Sequence, residues 1–248
     1  GVTGRQVDAS RAALASDSVG EQEVHRAVVQ MQWSIESMKS SGVARHAVAM
    51  VQQLEAPQEI VCYGIGDIVN SRIARLQLSL ALFIASNVGL DRSAVSFYDP
   101  VLTHGGAKVL EKMGVTVTEE NVHCRRRVLD GGHTLFFMPH CDREMYNNVI
   151  GANMIGAESS TVDGDARGCP LSAEGGTSLR LSSPAFTNLS ILGNSFSAYE
   201  ERSPYDEALR RCEHLLVAAS RCVEQPLRDL GEEFGPGVFN DTALHTFA

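Results

Sequence analysis

Five short apolar runs restrict what this chain can become. They are EIVCY at 59–63, AVSFY at 94–98, VTVTEEN at 115–121, HTLFFM at 133–138 and NLSIL at 188–192. Each is rich in the β-branched, aromatic or aliphatic residues that fill a covered strand. Stretches with helical spacing fall between most of them, at 71–86, 104–113 and 142–154. The first of these places Ile73, Leu76, Leu80, Phe83 and Ile84 on one face, and Gly114 is suited to cap the second. Strands that alternate with helices build a parallel sheet covered on both faces. The predicted fold is therefore α/β: a Rossmann-like, doubly wound, mostly parallel sheet.

Two helical stretches precede the first strand. Residues 21–39 carry Val24, Val28, Met31, Ile35 and Met38 at alternating steps of four and three, and 44–54 is closed by Pro57. A last helix is expected from Ser203, with Pro204, Asp206 and Glu207 in its opening turn. The organisation expected is a flexible 1–20, helices over 21–57 packed on the domain, and an α/β domain over 58–248. Residues 155–185, rich in Gly, Ser, Ala and Asp, read as a surface insert within it.

In doubly wound sheets ligands bind beyond the carboxyl ends of the strands. The runs end on polar groups there: Gly64-Ile65-Gly66-Asp67, Tyr98-Asp99-Pro100, Asn121, Pro139-His140-Cys141 and Gly193-Asn194-Ser195. Gly64 and Gly66 stand between a strand and a helix, as a phosphate-binding turn requires, but Val69 replaces the third glycine of the dinucleotide fingerprint. The same spacing fits a tight turn without ligand. Asp99 fits an acid on a ribose hydroxyl, or a turn-forming Asp before Pro100. His140 and Cys141 suit an activated thiol or a soft ligand for metal or haem, and equally a packed Cys beside a backbone-bonded His. Cys169, followed by Pro170, is a further haem-ligand candidate.

A net charge of -9 argues against general nucleic-acid or anionic-membrane binding. Six dispersed cysteines without a CxxC pair fit a reducing compartment. No signal-peptide pattern and no apolar run of membrane-spanning length is visible, so a cytoplasmic and/or nuclear protein is expected.

The assembled pieces resemble the Sensitivity to Red Light Reduced family, the SRR-like domain. They are GIGDIVNSRIARLQLSLAL at 64–82, YDPV at 98–101, LEKMGVTVTEEN at 110–121, TLFFMPHCDREMYNNVIGAN at 134–153, ILGNSFSAYEER at 191–202 and FNDTALH at 239–245. The resemblance places signature residues at Gly64, Gly66, Ser71, Arg75, Gln77, Asp99, Pro100, Asn121 and Arg126. It continues at Pro139, His140, Cys141, Tyr146, Asn153, Gly193, Asn194, Ser195 and Phe196. Gly106, Val122 and Met154 depart from the family pattern, and a Glu expected near Gly106 is lost or moved to Glu111. The resemblance implies regulation, linked in the family to circadian and light signalling and to control of haem biosynthesis; it supplies no reaction.

The leading expectation is a regulatory protein that binds a small nucleotide-like ligand or haem at the strand tips. One alternative is an enzyme, such as an adenosylmethionine-dependent methyltransferase. The other is a protein-interaction module with a vestigial pocket, using the N-terminal helices and the run Arg125-Arg126-Arg127.

Overall fold

The computed structural model describes residues 5–118, 122–128, 131–155, 185–186, 188–228, 233–235 and 237–247. Two helices come first, α1 (Arg5–Ser40) and α2 (Gly42–Val51). α1 begins within the stretch expected from sequence to be flexible. The alternating part follows as β1 (Pro57–Tyr63), α3 (Arg72–Asn87), β2 (Val95–Tyr98), α4 (His104–Met113), β3 (Thr116–Val117), β4 (His133–Met138) and α5 (Arg143–Asn153). Next come β5 (Met154–Ile155), β6 (Ala185–Phe186) and β7 (Leu189–Asn194). The chain ends with α6 (Ser197–Arg202), α7 (Glu207–Arg210), α8 (Glu213–Ala219), β8 (Val223–Pro226) and β9 (Thr242–Thr246).

Seven strands form one sheet in the order β3-β2-β1-β4-β7-β9-β8. β1, β2, β3, β4 and β7 are parallel, while β9 runs antiparallel to both β7 and β8. The fold is thus the mostly parallel, doubly wound α/β sheet expected, with a helical N-terminal addition. Alternation along the strands sorts the core into two layers. Ile60, Cys62, Leu135 and Phe137 pack with α1, α2, α3 and α4 on one face. Val61, Tyr63, Phe136, Met138 and Ile191 pack with α5, α7 and α8 on the other.

Most helix ends carry the signals that set them. Ser71 caps α3, with its hydroxyl accepting from Ala74 N at 3.2 Å; Thr103 caps α4 in the same way through Gly106 N at 3.0 Å. Gly114 ends α4 in the left-handed region at φ 77°. The single helix expected from Ser203 is instead a 3-10 turn (Ser203–Tyr205) followed by α7 and α8. Asp206 is not in its first turn but is the N-cap of α7, accepting from Leu209 N at 3.0 Å. The small β5–β6 ladder joins the two ends of 156–184, a stretch outside the described residues that takes in most of the expected insert.

Candidate functional site

The strand order reverses between β1 and β4, so the crevice expected to bind a ligand lies between their carboxyl ends. The chain fills it with its own groups. Gly64 and Gly66 turn the backbone at φ 65° and 89°. Asp99, at the end of β2, accepts from Gly66 N through Oδ2 at 2.7 Å and from Val101 N through Oδ1 at 2.9 Å. Asp67 accepts from Val69 N at 2.9 Å, Asn70 N at 3.2 Å and Asn70 Nδ2 at 2.7 Å. Partial burial alone would raise the Asp67 pKa, but these donors outweigh it and hold the carboxyl below its ordinary value. The amides that would cradle a phosphate therefore already meet two carboxylates.

Arg75 braces this turn from within, donating from Nη1 to Ile68 O at 3.1 Å and Val69 O at 2.8 Å. The segment before β9 closes the turn from outside. Phe234 O accepts from Arg72 Nη1 at 2.9 Å, and Val238 O accepts from Gln77 Nε2 at 3.1 Å. Val238 and Phe239 are buried in the same apolar cluster as Ile65 and Ile68. An adenosyl cofactor held by the 64–67 turn does not fit these residues.

The tip of β4 explains the other singled-out residues. After the buried Pro139, His140 adopts φ 59° and is exposed. Asn194 holds that left-handed turn: its Oδ1 accepts from His140 N at 2.8 Å, and its Nδ2 donates to Cys141 O and Tyr199 OH, both at 3.2 Å. Tyr146 OH donates to Met138 O and accepts from Asn194 N at 2.8 Å. A Cβ on Gly193 would meet that hydroxyl at 2.6 Å, so only glycine leaves room for it. His140 Nε2 lies 3.2 Å from Val238 O, a carbonyl that can only accept, so this nitrogen carries a proton and donates.

Cys141 is buried, and its thiol donates to Tyr63 O at 3.3 Å. Burial pushes its pKa well above the ordinary thiol value, and neighbouring Cys124, Asp99 and Asp142 push the same way. Burial and these neighbours therefore work against the activated thiolate considered from sequence.

The space at this edge opens one strand further along. A cleft of about 320 Å³ lies between the β4–α5 turn, the β7–α6 turn and the start of β9, lined by His140, Cys141, Asp142, Arg143, Asn194, Ser195, Ala198, Tyr199, Asn240 and Asp241. The volume is at the small end for ligand sites, which run from roughly 300 to 1,000 Å³. α5 starts in this cleft, and its N-cap Asp142 makes no capping hydrogen bond. Arg143 stands at the first helical position, with Nε 3.3 Å from Glu144 Oε1 and Nη1 3.8 Å from Asp206 Oδ2. Ser195 N donates to Asp241 O at 2.7 Å and ties the two far walls.

This polar lining does not fit haem. Cys141 turns its thiol toward Tyr63 O, His140 is tied through Nε2 to Val238 O, and among the described residues the cleft beside them is lined mainly by polar groups rather than by an apolar slot for a porphyrin face. Among the described residues no group of three or more His, Cys, Asp or Glu side chains is placed to hold a metal ion.

Several signature residues lie away from the cleft. Arg126 is ion-paired to the buried Glu59 near the amino end of β1, and its Nη1 donates to Ser96 Oγ at 3.4 Å. Ser71 and Arg75 shape the 64–67 turn, and Pro100 is an exposed turn residue. Asn121 and Cys169 are outside the described residues. Gly106 is buried in α4, where a Cβ would meet Leu102 Cδ1 at 2.8 Å. The sequence reading missed Arg143, Tyr199, Asn240, Asp241 and Glu224. All but Glu224 lie within the stretches that carry the resemblance, and Arg143 is in addition a cation one residue after a possible N-cap.

Among the described residues no helix is long and apolar enough to cross a membrane. Residues 34–246 match the SRR1 domain. The chain is similar to Protein SENSITIVITY TO RED LIGHT REDUCED 1 of Arabidopsis thaliana, 28% identical over 214 residues that make up 86% of this chain and 67% of that protein. It is also similar to the SRR1-like protein of Mus musculus, 32% identical over 142 residues, which are 57% of this chain and 46% of that protein. No solved structure matches it. With the family's domain spanning nearly all of the described sheet, this chain belongs to the SRR1 domain family.

Proposed function

We propose that the protein is a regulatory member of this family that binds a small nucleotide-like ligand in the cleft at the carboxyl ends of β4 and β7. The observation that carries this reading is the uncapped start of α5, with Arg143 beside it, facing a cleft of about 320 Å³. A helix N-terminus and a guanidinium favour an anionic group such as phosphate. Asp241, Asn240 and the His140 ring suit ribose hydroxyls or an exocyclic amine. The regulatory part rests on family membership and on the red-light sensitivity named in the Arabidopsis relative.

The test is a thermal-shift titration with adenosine monophosphate and with inorganic phosphate, using wild type and Arg143→Gln. Ligand at 100 times its Kd stabilises a protein by about 2.7 kcal/mol, which is readily measured. Wild type is expected to shift and the variant to shift much less. No shift of wild type up to millimolar nucleotide would remove the proposal. It would favour the second reading, an interaction module, which draws support from the closure of the 64–67 turn by Asp67 and Asp99.

A further inference from the structure

We propose that Glu224, on the edge strand β8, is the positioning residue of the cleft, holding the 195–197 turn that forms its wall beside β7. This rests on the reading of the cleft as the ligand site. Glu224 does not itself line the cleft.

Its carboxylate meets donors along the whole turn. Oε1 accepts from Ser195 Oγ at 2.6 Å and Ser197 Oγ at 2.8 Å, and Oε2 accepts from Phe196 N and Ser197 N, both at 2.9 Å. On its other side stands His245, whose Nε2 accepts from Phe196 N at 3.3 Å and lies 3.4 Å from Oε2. That ring is fully buried, lies 3.1 Å through Nδ1 from Ile191 O, and stacks on Phe196 with centroids 3.8 Å apart. The pairing of β8 with β9 thus sets where the carboxylate stands, and the carboxylate holds the turn in front.

The consequence reaches the cleft through Ser195, which lines it, and through Ala198 and Tyr199, which follow in α6. Tyr199 OH accepts from Asn194, the residue that holds His140. One carboxylate on the C-terminal hairpin therefore sets the position of the wall facing Arg143. An amide in its place keeps one acceptor oxygen for the two backbone N–H groups, can only donate to the two serine hydroxyls and loses the negative charge that strengthens all four bonds, so the anchor weakens.

Glu224→Gln tests this by hydrogen–deuterium exchange of the ligand-free protein together with an adenosine monophosphate titration. Exchange over 194–202 is expected to rise about tenfold, with 242–246 still protected, and nucleotide affinity to fall about tenfold. Glu224→Asp should recover part of both. Unchanged protection of 194–202 would overturn the inference whatever the nucleotide does. Lost protection with unchanged affinity would overturn it too, because the turn would then not serve the cleft. If wild type binds no nucleotide but Glu224→Gln loosens 194–202 alone, the positioning of the turn is supported and only the ligand reading falls. Should Glu224→Gln not fold, Ser197→Ala removes one exposed donor and is expected to loosen the same segment more mildly.

Discussion

A Cβ added at Gly64 would meet the Cys141 sulfur at 2.5 Å, and the residue sits at φ 65°. Gly64→Ala combines an overpacked contact with left-handed strain, each costing roughly 1–3 kcal/mol. It is expected to lower the urea midpoint far more than Gly89→Ala, where φ is 81° but the added carbon meets nothing within 4 Å. Similar losses at the two sites would show that Cys141 gives way. The cysteines lead to a second expectation. Burial raises Cys124 and Cys222 to about 11, holds Cys62 higher still, and pushes Cys141 well above the ordinary thiol value. Alkylation of Cys141 at neutral pH should therefore be slow until the protein is unfolded; rapid native labelling, read by peptide mass, would contradict its placement. The sequence marked Gly64, Gly66, Asp99, His140 and Cys141 as special. It did not show that they satisfy one another, because the partners of Gly64 and Gly66, Cys141 and Asp99, lie just beyond the ends of other strands, remote in sequence.

At the scale of elements, the parallel strands and their connecting helices were legible because burial on both faces leaves continuous apolar runs. α4 was read to the residue from its periodicity and Gly114. The hairpin of β8 and β9 was not. VEQP and TALHT are short, half-polar and ordered only by pairing, β9 with β7 and β8 with β9, which no local signal reports. Arg126 illustrates the same limit. It was grouped with the ligand residues, yet it anchors the 122–128 segment to β1 through Glu59, whose other oxygen accepts from Thr134 Oγ1 at 2.9 Å. Arg126→Met strands a buried carboxylate. Because the Arg side chain is 31% exposed, the cost should fall near the lower end for broken buried pairs, about 3 kcal/mol. Denaturant unfolding should record that loss, while the thermal shift with adenosine monophosphate stays as in wild type. A lost shift in a folded variant would return Arg126 to the binding set.

The whole molecule is closed by carboxylates that reach across it. Glu233 accepts from Ser41 Oγ at 2.6 Å and Gly42 N at 2.9 Å, joining the C-terminal segment to the start of α2. Glu224 joins the edge of the sheet to α6, and Asp67 closes the turn before α3. Hydrogen bonding holds all three below their ordinary pKa; for Glu224 and Asp67 it does so against partial burial, which pushes the other way. A carboxyl depressed in the folded state is charged in both states at neutral pH. As pH falls through its ordinary range near 4, the unfolded chain takes up the proton first, so stability present above that range is lost below it. His133 adds an earlier component. Burial lowers its pKa, against the pull of its bond to Glu55 O, so unfolding gains a proton once pH drops below about 6.5. Urea midpoints should therefore be highest near neutrality, fall gently below about pH 6.5 and steeply below about pH 4.5. Glu224→Gln lowers the neutral value and flattens the steep limb, since it has no proton to take up there. If the variant keeps the wild-type slope below that point, the acid sensitivity belongs to other carboxylates, and Glu224 does not carry the charge its hydrogen bonds require.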